Sequence, residues 1–589
     1  MKLHLPKLLS VAVMAALALP AMGADTTNEN TPTYINVGIA GTANSYTDNN
    51  YTHTTTDGTL HIGTGDKVGY FKVEGDPSTL VTKFDDAYAS GNIGTANVSN
   101  FLTIYAADGK TKGNLEISGT GQVYLGGKNG KNFFSGLVAK DVTISSDATG
   151  TNLWADSTAL ETFTINGGSA YLRTNLSQGN STFGNGFTSY KSNTITKGLY
   201  INGGFLKMGR QANGATVGAG DRNKTNEHFV NIIGGTVKQT NGEAELHGKT
   251  YISASKVEQT GGKMKLAYDA TNGYEFLRFG NSNTTICQDA TDASTNMHIE
   301  GQIIYGTKGN SSMVLNIEQK GVGTISLDNG VMFTSASSDK ASNILQSGNG
   351  TINLGGDYSS AIFNINQSAS GTINLKKNAA MVANNVNVGK DATLNVDGNM
   401  TFTGKASLTG TVNVGANTSF TLTETCDMDV MTDLELSAGN SIKFIVDSAT
   451  TEGSMQMTET GNLEFTGGTL ELSLTEAALT EIAAEAHKDG KEVHVTLIGN
   501  LSDADVLELE GIINDKLVLA DYLVELELPT TYALTAQENI TIEAHDLIVE
   551  DNALKAVIIA TNPNVIPEPA TATLSLLALA ALAARRRRK

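Results

Sequence analysis

The sequence predicts an all-β fold: a parallel β-solenoid (β-helix) with a small α+β C-terminal cap, an N-terminal signal helix and a single C-terminal apolar helix. Three observations predict it, namely an interior without proline, period-2 alternation, and an internal repeat built on glycine pairs. None of the eight prolines falls between residues 78 and 528. Proline removes a ladder donor, so continuous strand pairing selects against it. Helices would tolerate the same absence, and periodicity decides between the two. Leu394-Asn395-Val396, Met400-Thr401-Phe402, Val412-Asn413-Val414 and Phe420-Thr421-Leu422 alternate apolar with small polar residues, the mark of half-buried strands. Asp397-Gly398-Asn399 and Gly415-Ala416-Asn417 lie between them, residue types that turns use.

The repeat is a strand, a glycine pair and a second strand. It runs through Phe163–Leu172 around Gly167 and Gly168, Leu199–Met208 around Gly203 and Gly204, and Val230–Gln239 around Gly234 and Gly235. It returns in Val257–Leu266 around Gly261 and Gly262, and more distantly in Leu463–Leu472 around Gly467 and Gly468. A second series, Gly-Thr-Ile-Ser/Asn-Leu, begins at Gly323, Gly350 and Gly371. Periods of 20 to 50 residues indicate stacked units that bury their apolar faces on one another. The glycine pairs are expected at the corners, and right-handed coiling is the usual sense for parallel connections. An antiparallel array with hairpins at the glycine pairs is the alternative. The repeat texture over roughly residues 95 to 470 resembles the β-helical passengers of autotransporters.

Composition fits an exported β protein. Glycine is 63 of 589 residues, charged residues are 17%, and hydrophobic residues are 40%. Disorder favours more charge and fewer apolar residues. The formal charge is −20, from 40 basic and 60 acidic residues. Seven of the basic residues, Lys2, Lys7, Arg585, Arg586, Arg587, Arg588 and Lys589, lie in terminal segments expected to be removed, which leaves 33 against 60, or −27. Such a surface repels phosphate backbones, so no nucleic-acid partner is expected. Cys287 and Cys426 are the only cysteines. Two thiols cannot make a metal cluster, and pairing or separate burial both remain open.

Each end reads as an address label. Residues 1–24 have a basic start, an apolar stretch from Leu8 to Leu19, Pro20, and small residues Ala21, Gly23 and Ala24. That order is a signal peptide cut after Gly23 or Ala24, implying signal peptidase and Sec-type export; a buried helix is the alternative. At the other end, Pro567-Glu568-Pro569 precede an uncharged stretch, Ala570 to Ala584, and then Arg585, Arg586, Arg587, Arg588 and Lys589. Fifteen helical residues reach about 22 Å against a hydrocarbon core of about 30 Å. Starting at Val565 the segment is long enough to cross, with the cations on the cytoplasmic side.

This three-part tail resembles the PEP-CTERM sorting signal of Gram-negative bacteria. The resemblance implies an exosortase-type membrane protease that cuts near Pro567, Glu568 and Pro569, after which the passenger moves to the cell surface or extracellular matrix. A plain C-terminal membrane anchor is the alternative.

Between the labels the expected organisation is a leading β-rich region over 25–94, solenoid repeats over 95–472, a capping region over 473–560 and the sorting tail over 561–589. Ser473-Leu474-Thr475-Glu476 reads as a capping box, with Leu479, Ile482, Ala483 and Ala486 on one apolar face before Asp489-Gly490 ends the helix. Strands are expected at Val493–Ile498, Tyr522–Leu528 and Ile540–Glu550, and a short helix near Ser502–Leu509.

Chemistry-bearing motifs are sparse. The nine histidines include no His-Glu-x-x-His, and His53 and His61 sit in a Thr-rich stretch with no further ligand pattern. Asp427-Met428-Asp429 and Asp503-Ala504-Asp505 lack the ligand set of a calcium loop and read as solvated acids. No metal, cofactor or catalytic residue is assigned. The function these features predict is an exported surface or matrix protein with a structural or adhesive role, with polysaccharide or glycan as a candidate partner. A β-helical polysaccharide lyase or hydrolase is the second reading. Ice binding, suggested by Thr162-Phe163-Thr164, Thr401-Phe402-Thr403 and Thr421-Leu422-Thr423, is the third.

Overall fold

The computed structural model describes the short strands Ile35–Asn36, Tyr51–Thr52, Thr59–Ile62 and Lys67–Val68 and most of residues 101–561. The signal segment and the sorting tail lie outside the described residues, as do the expected cleavage region at Ala21, Gly23 and Ala24 and the membrane stop at Arg585 to Arg588. The regular structure of the described residues is nearly all strand, paired in parallel over most of its length, with two short helices. Among them no helix is long and apolar enough to cross a membrane. The chain divides into two compact units, residues 1–362 with 371–373 and residues 363–370 with 374–589.

In the first unit, from Val230 onward, every third strand pairs. Val230–Ile232, Thr236–Gln239 and Glu243–His247 form one coil, and Thr250–Ile252, Lys256–Gln259 and Lys263–Tyr268 lie on them in parallel, strand for strand. The next coils repeat the scheme through Thr351–Leu354. The hairpin alternative is therefore overturned: the glycine turns join strands of different faces instead of antiparallel neighbours. The alternation that marks the strands is also what fills the core. Val237, Val257, Ile286, Ile317 and Ile344 are register partners, and each is completely buried. Burying such a side chain contributes about 1.5–3 kcal/mol.

Aromatic residues stack in the same register. Tyr305 lies between Phe279 and Phe333, at ring separations of 6.3 and 5.3 Å. Its hydroxyl donates to the Val314 carbonyl at 2.7 Å, which satisfies the one polar atom that burial would otherwise strand.

In five successive coils a fully buried glutamine supports the corner between the second and third strands. Gln239, Gln259, Gln288, Gln319 and Gln346 are register partners with no exposed surface. Gln259 Nε2 donates to Gln239 Oε1 at 3.0 Å, Gln288 to Gln259 at 3.3 Å, and Gln319 to Gln288 at 3.2 Å. The same amides donate to corner carbonyls, as Gln288 does to Thr295 at 3.2 Å and Thr324 at 2.8 Å. A turning backbone leaves carbonyls pointing inward, and an unsatisfied one costs about 1–3 kcal/mol. The glutamine side chain meets that need.

The second unit keeps the three-strand rule. Ala380–Val388 bends across two faces, pairing with Asn399–Phe402 and Lys405–Leu408, while Thr393–Val396 pairs with Thr411–Val414. Parallel stacking continues to Gly468–Leu474 and Leu517–Leu519. It then gives way to an antiparallel sheet of Glu492–Gly499, Ala553–Thr561, Glu538–Glu550 and Tyr522–Leu528.

Helix Glu476–Asp489 buries Ala478, Ile482 and Ala483. Its cap differs from the sequence expectation: Ser473 belongs to the strand Gly468–Leu474 and pairs with Ile445. Thr475 caps instead, its Oγ1 accepting from the Ala478 amide at 3.4 Å. Strand register took Ser473 because its pattern continues through Leu474. Helix Asp503–Ile512 has a complete capping box between Ser502 and Asp505. Here the reading of Asp505 as a solvated acid is corrected. Its side chain is 2% exposed and also accepts from the Leu463 amide at 2.9 Å, tying the helix to a sheet strand.

Candidate functional site

The second unit carries a groove of about 450 Å³ on one lateral face. Its floor is the end of the strand Asp357–Gln367 followed by residues 385–387, 405–407 and 427–429 of successive coils. Alternation sends Ile365, Val386, Ala406 and Met428 inward, all 2% exposed or less, so the residues flanking them face outward. Two polar columns result. One runs Asn364, Asn385, Lys405, Asp427, and the other Asn366, Asn387, Ser407, Asp429. Adjacent strands are spaced about 4.8 Å and i,i+2 side chains about 7 Å, so the columns form a grid roughly 14 Å by 7 Å.

The amides are fixed by one another. Asn385 Nδ2 donates to Asn364 Oδ1 at 3.1 Å, and Asn387 Nδ2 to Asn366 Oδ1 at 2.9 Å. Asn366, Asn385 and Asn387 are exposed. At the far end Lys405 lies 3.5 Å from Asp427, with 84% and 58% of the two side chains accessible. An ion pair that exposed contributes little to stability. The groove therefore presents mostly neutral donors and acceptors, with one net negative charge from Lys405, Asp427 and Asp429. Among the described residues no group of three or more His, Cys, Asp or Glu side chains could hold a metal ion.

The predicted corner glycines lie in bends between strands, except Gly468, which opens a strand, and they do not share one corner. Gly167–Gly168 precedes Ser169–Arg173 and Gly203–Gly204 precedes Phe205–Gly209, and these two strands are register partners. The next coil places Asn241–Gly242 there, and the following one Gly261–Gly262. Gly204 has φ +68°, and a Cβ on it would collide with the Gly168 carbonyl; both facts demand glycine. Gly234–Gly235 instead turns the chain into Thr236–Gln239, at a different corner above Lys197. Gly467–Gly468 joins Leu463–Phe465 to Gly468–Leu474.

The buried glutamines escaped the sequence reading although a signal was present. Gln319, Gln346 and Gln367 each stand four residues before Gly323, Gly350 and Gly371. Each Gly-Thr-Ile unit is thus the outer half of a motif whose inner half is glutamine. Of the threonine triplets, Thr401 and Thr421 are register partners, but their row continues to Val382 on one side and Lys443 on the other. Trp154 is 2% exposed and stacks on its register partner Tyr171 at 5.2 Å, so it packs one coil against the next. His61 lies 3.1 Å from Glu116; His53 lies outside the described residues.

Residues 565–589 match the PEP-CTERM protein-sorting motif. The span includes Pro567, Glu568, Pro569 and the arginine cluster, and it marks the chain for an exosortase-type processing system and for export toward the cell surface. No curated protein and no solved structure matches the chain.

Proposed function

We propose that this chain is a β-solenoid displayed at the cell surface or in the extracellular matrix, with a structural or adhesive role. Signal peptidase and Sec-type machinery start its export, and an exosortase-type protease releases it from a transient inner-membrane anchor. The observation that carries the reading is the joining of a PEP-CTERM sorting motif at 565–589 to a body of parallel, register-stacked coils. Stacked coils suit the role because each needs only its neighbours for stability and leaves long lateral faces free.

The test replaces Pro567, Glu568 and Pro569 with alanine in the full chain. The expected result is accumulation of an unprocessed species in the membrane fraction, while the unaltered chain reaches the surface in a shortened form. Equal surface delivery and equal mass for both would overturn the sorting half. Incubating the unaltered chain with a polysaccharide panel tests the other half. Released reducing or unsaturated ends would overturn the structural role in favour of a lyase or hydrolase.

A further inference from the structure

We propose that the amide-lined groove of the second unit binds an uncharged, polyhydroxylated chain, a neutral glycan, across its two polar columns. The inference rests on the extracellular reading above and adds the class of ligand. Its first support is size: about 450 Å³ lies within the range of small-ligand sites. Its second is chemistry. A carboxamide both donates and accepts, as a sugar hydroxyl does, so a patch of amides matches hydroxyls in either orientation.

Preorganisation is the third support. The bonds from Asn385 to Asn364 and from Asn387 to Asn366 use one amide proton of each donor. They hold the second amide proton of Asn385 and Asn387, and the side-chain oxygens of Asn366, Asn385 and Asn387, in fixed positions on a rigid strand framework. Binding then orders few side chains, which lowers its entropic cost. Charge selects within the class. Asp427 and Asp429 outweigh Lys405 at one end of the groove, and the chain carries −20 overall, so a polyanionic glycan is repelled.

A second asparagine row provides an internal control. Asn395 donates to Asn374 at 2.6 Å and Asn413 to Asn395 at 2.7 Å, on the neighbouring face and outside the groove. It has the same spacing and chemistry without the enclosure.

The experiment measures binding of the full chain to a neutral panel (dextran, galactomannan and cello-oligosaccharides) and to alginate as the polyanion. The double variants Asn366→Ala/Asn387→Ala and Asn395→Ala/Asn413→Ala are compared with the unaltered chain. The expected result is binding to at least one neutral glycan, weakened about tenfold or more by the first pair and less than twofold by the second, with no binding to alginate. No neutral binding, alginate bound as tightly, or equal loss in both double variants would each overturn the proposal. Surface display of the unaltered chain is scored in parallel. A displayed chain that binds no neutral glycan sinks this inference alone, whereas a chain never displayed sinks the reading beneath it.

Discussion

Replacing Gln288 with leucine tests whether the buried amide row supports the corners or merely fills space. Leucine keeps much of the volume and all of the apolar contact, so the loss is confined to hydrogen bonds. Gln288 donates to Gln259, Thr295 and Thr324 and accepts from Gln319. The Thr295 carbonyl keeps the Thr324 amide as a donor, and Gln319 keeps its bonds to Gly321 and Gly323. The Gln259 amide oxygen is left without a donor, while the Thr324 carbonyl loses one of two donors and keeps the ladder amide of Met297. At about 2 kcal/mol for the stranded oxygen and about 1 kcal/mol for the lost second bond, the local loss is about 3 kcal/mol, roughly a hundredfold in an opening equilibrium. A chain of two compact units has no single unfolding free energy, so local hydrogen exchange is the suitable assay. Amides of Thr284–Gln288 and Leu315–Gln319 should exchange about a hundredfold faster in the variant, while those of Asn399–Phe402 stay unchanged. Exchange within threefold of the unaltered chain at the first two strands would refute the reasoning.

Three further outcomes follow from other buried groups. Glu245 is held down to about 2 chiefly by its hydrogen bond to His247, with burial opposing and Lys265 assisting. A depressed carboxyl stabilises the fold above its unfolded value near 4.5 and loses that contribution as pH falls toward 2; Glu245→Gln should flatten the pH dependence of exchange at Glu243–His247 over that window. Asp505→Ala removes three accepted hydrogen bonds, from the Leu463 amide and from the Ser502 amide and hydroxyl, and should cost about 2–3 kcal/mol, read as faster exchange at Leu463–Phe465. Cys287 and Cys426 are free and buried; burial pushes both thiols up, that of Cys426 to about 12, so neither should react with a disulfide reagent at pH 8 until the chain is unfolded in denaturant.

Strand content was legible wherever the alternation was clean. Leu394 and Val396 face inward as their spacing requires, and the Gly323 and Gly350 series falls into register as Thr324 opposite Thr351. Phase was harder to read. Gly234–Gly235 has the same neighbours as the other glycine pairs but turns a different corner, because any two faces of a coil meet in the same strand–glycine–strand chemistry. Ser473 was misplaced for a related reason: a capping motif and a strand end can overlay, and only pairing with Ile445 decides between them. The groove was the least legible feature. Asn364, Asn385 and Lys405 are far apart in sequence, and only the lengths of the intervening coils bring them into one column.

The amide rows also have a sense. Gln259, Gln288 and Gln319 each give a proton to the glutamine before them in the chain, and Asn202, Asn343, Asn387, Asn395 and Asn413 do the same for their preceding partners. Dipoles aligned head to tail reinforce one another, and the glutamine run ends at Gln319, whose Oε1 receives no proton from Gln346. The rows therefore give these stretches of the stack a polarity, with amide protons toward the earlier coil and amide oxygens toward the later one.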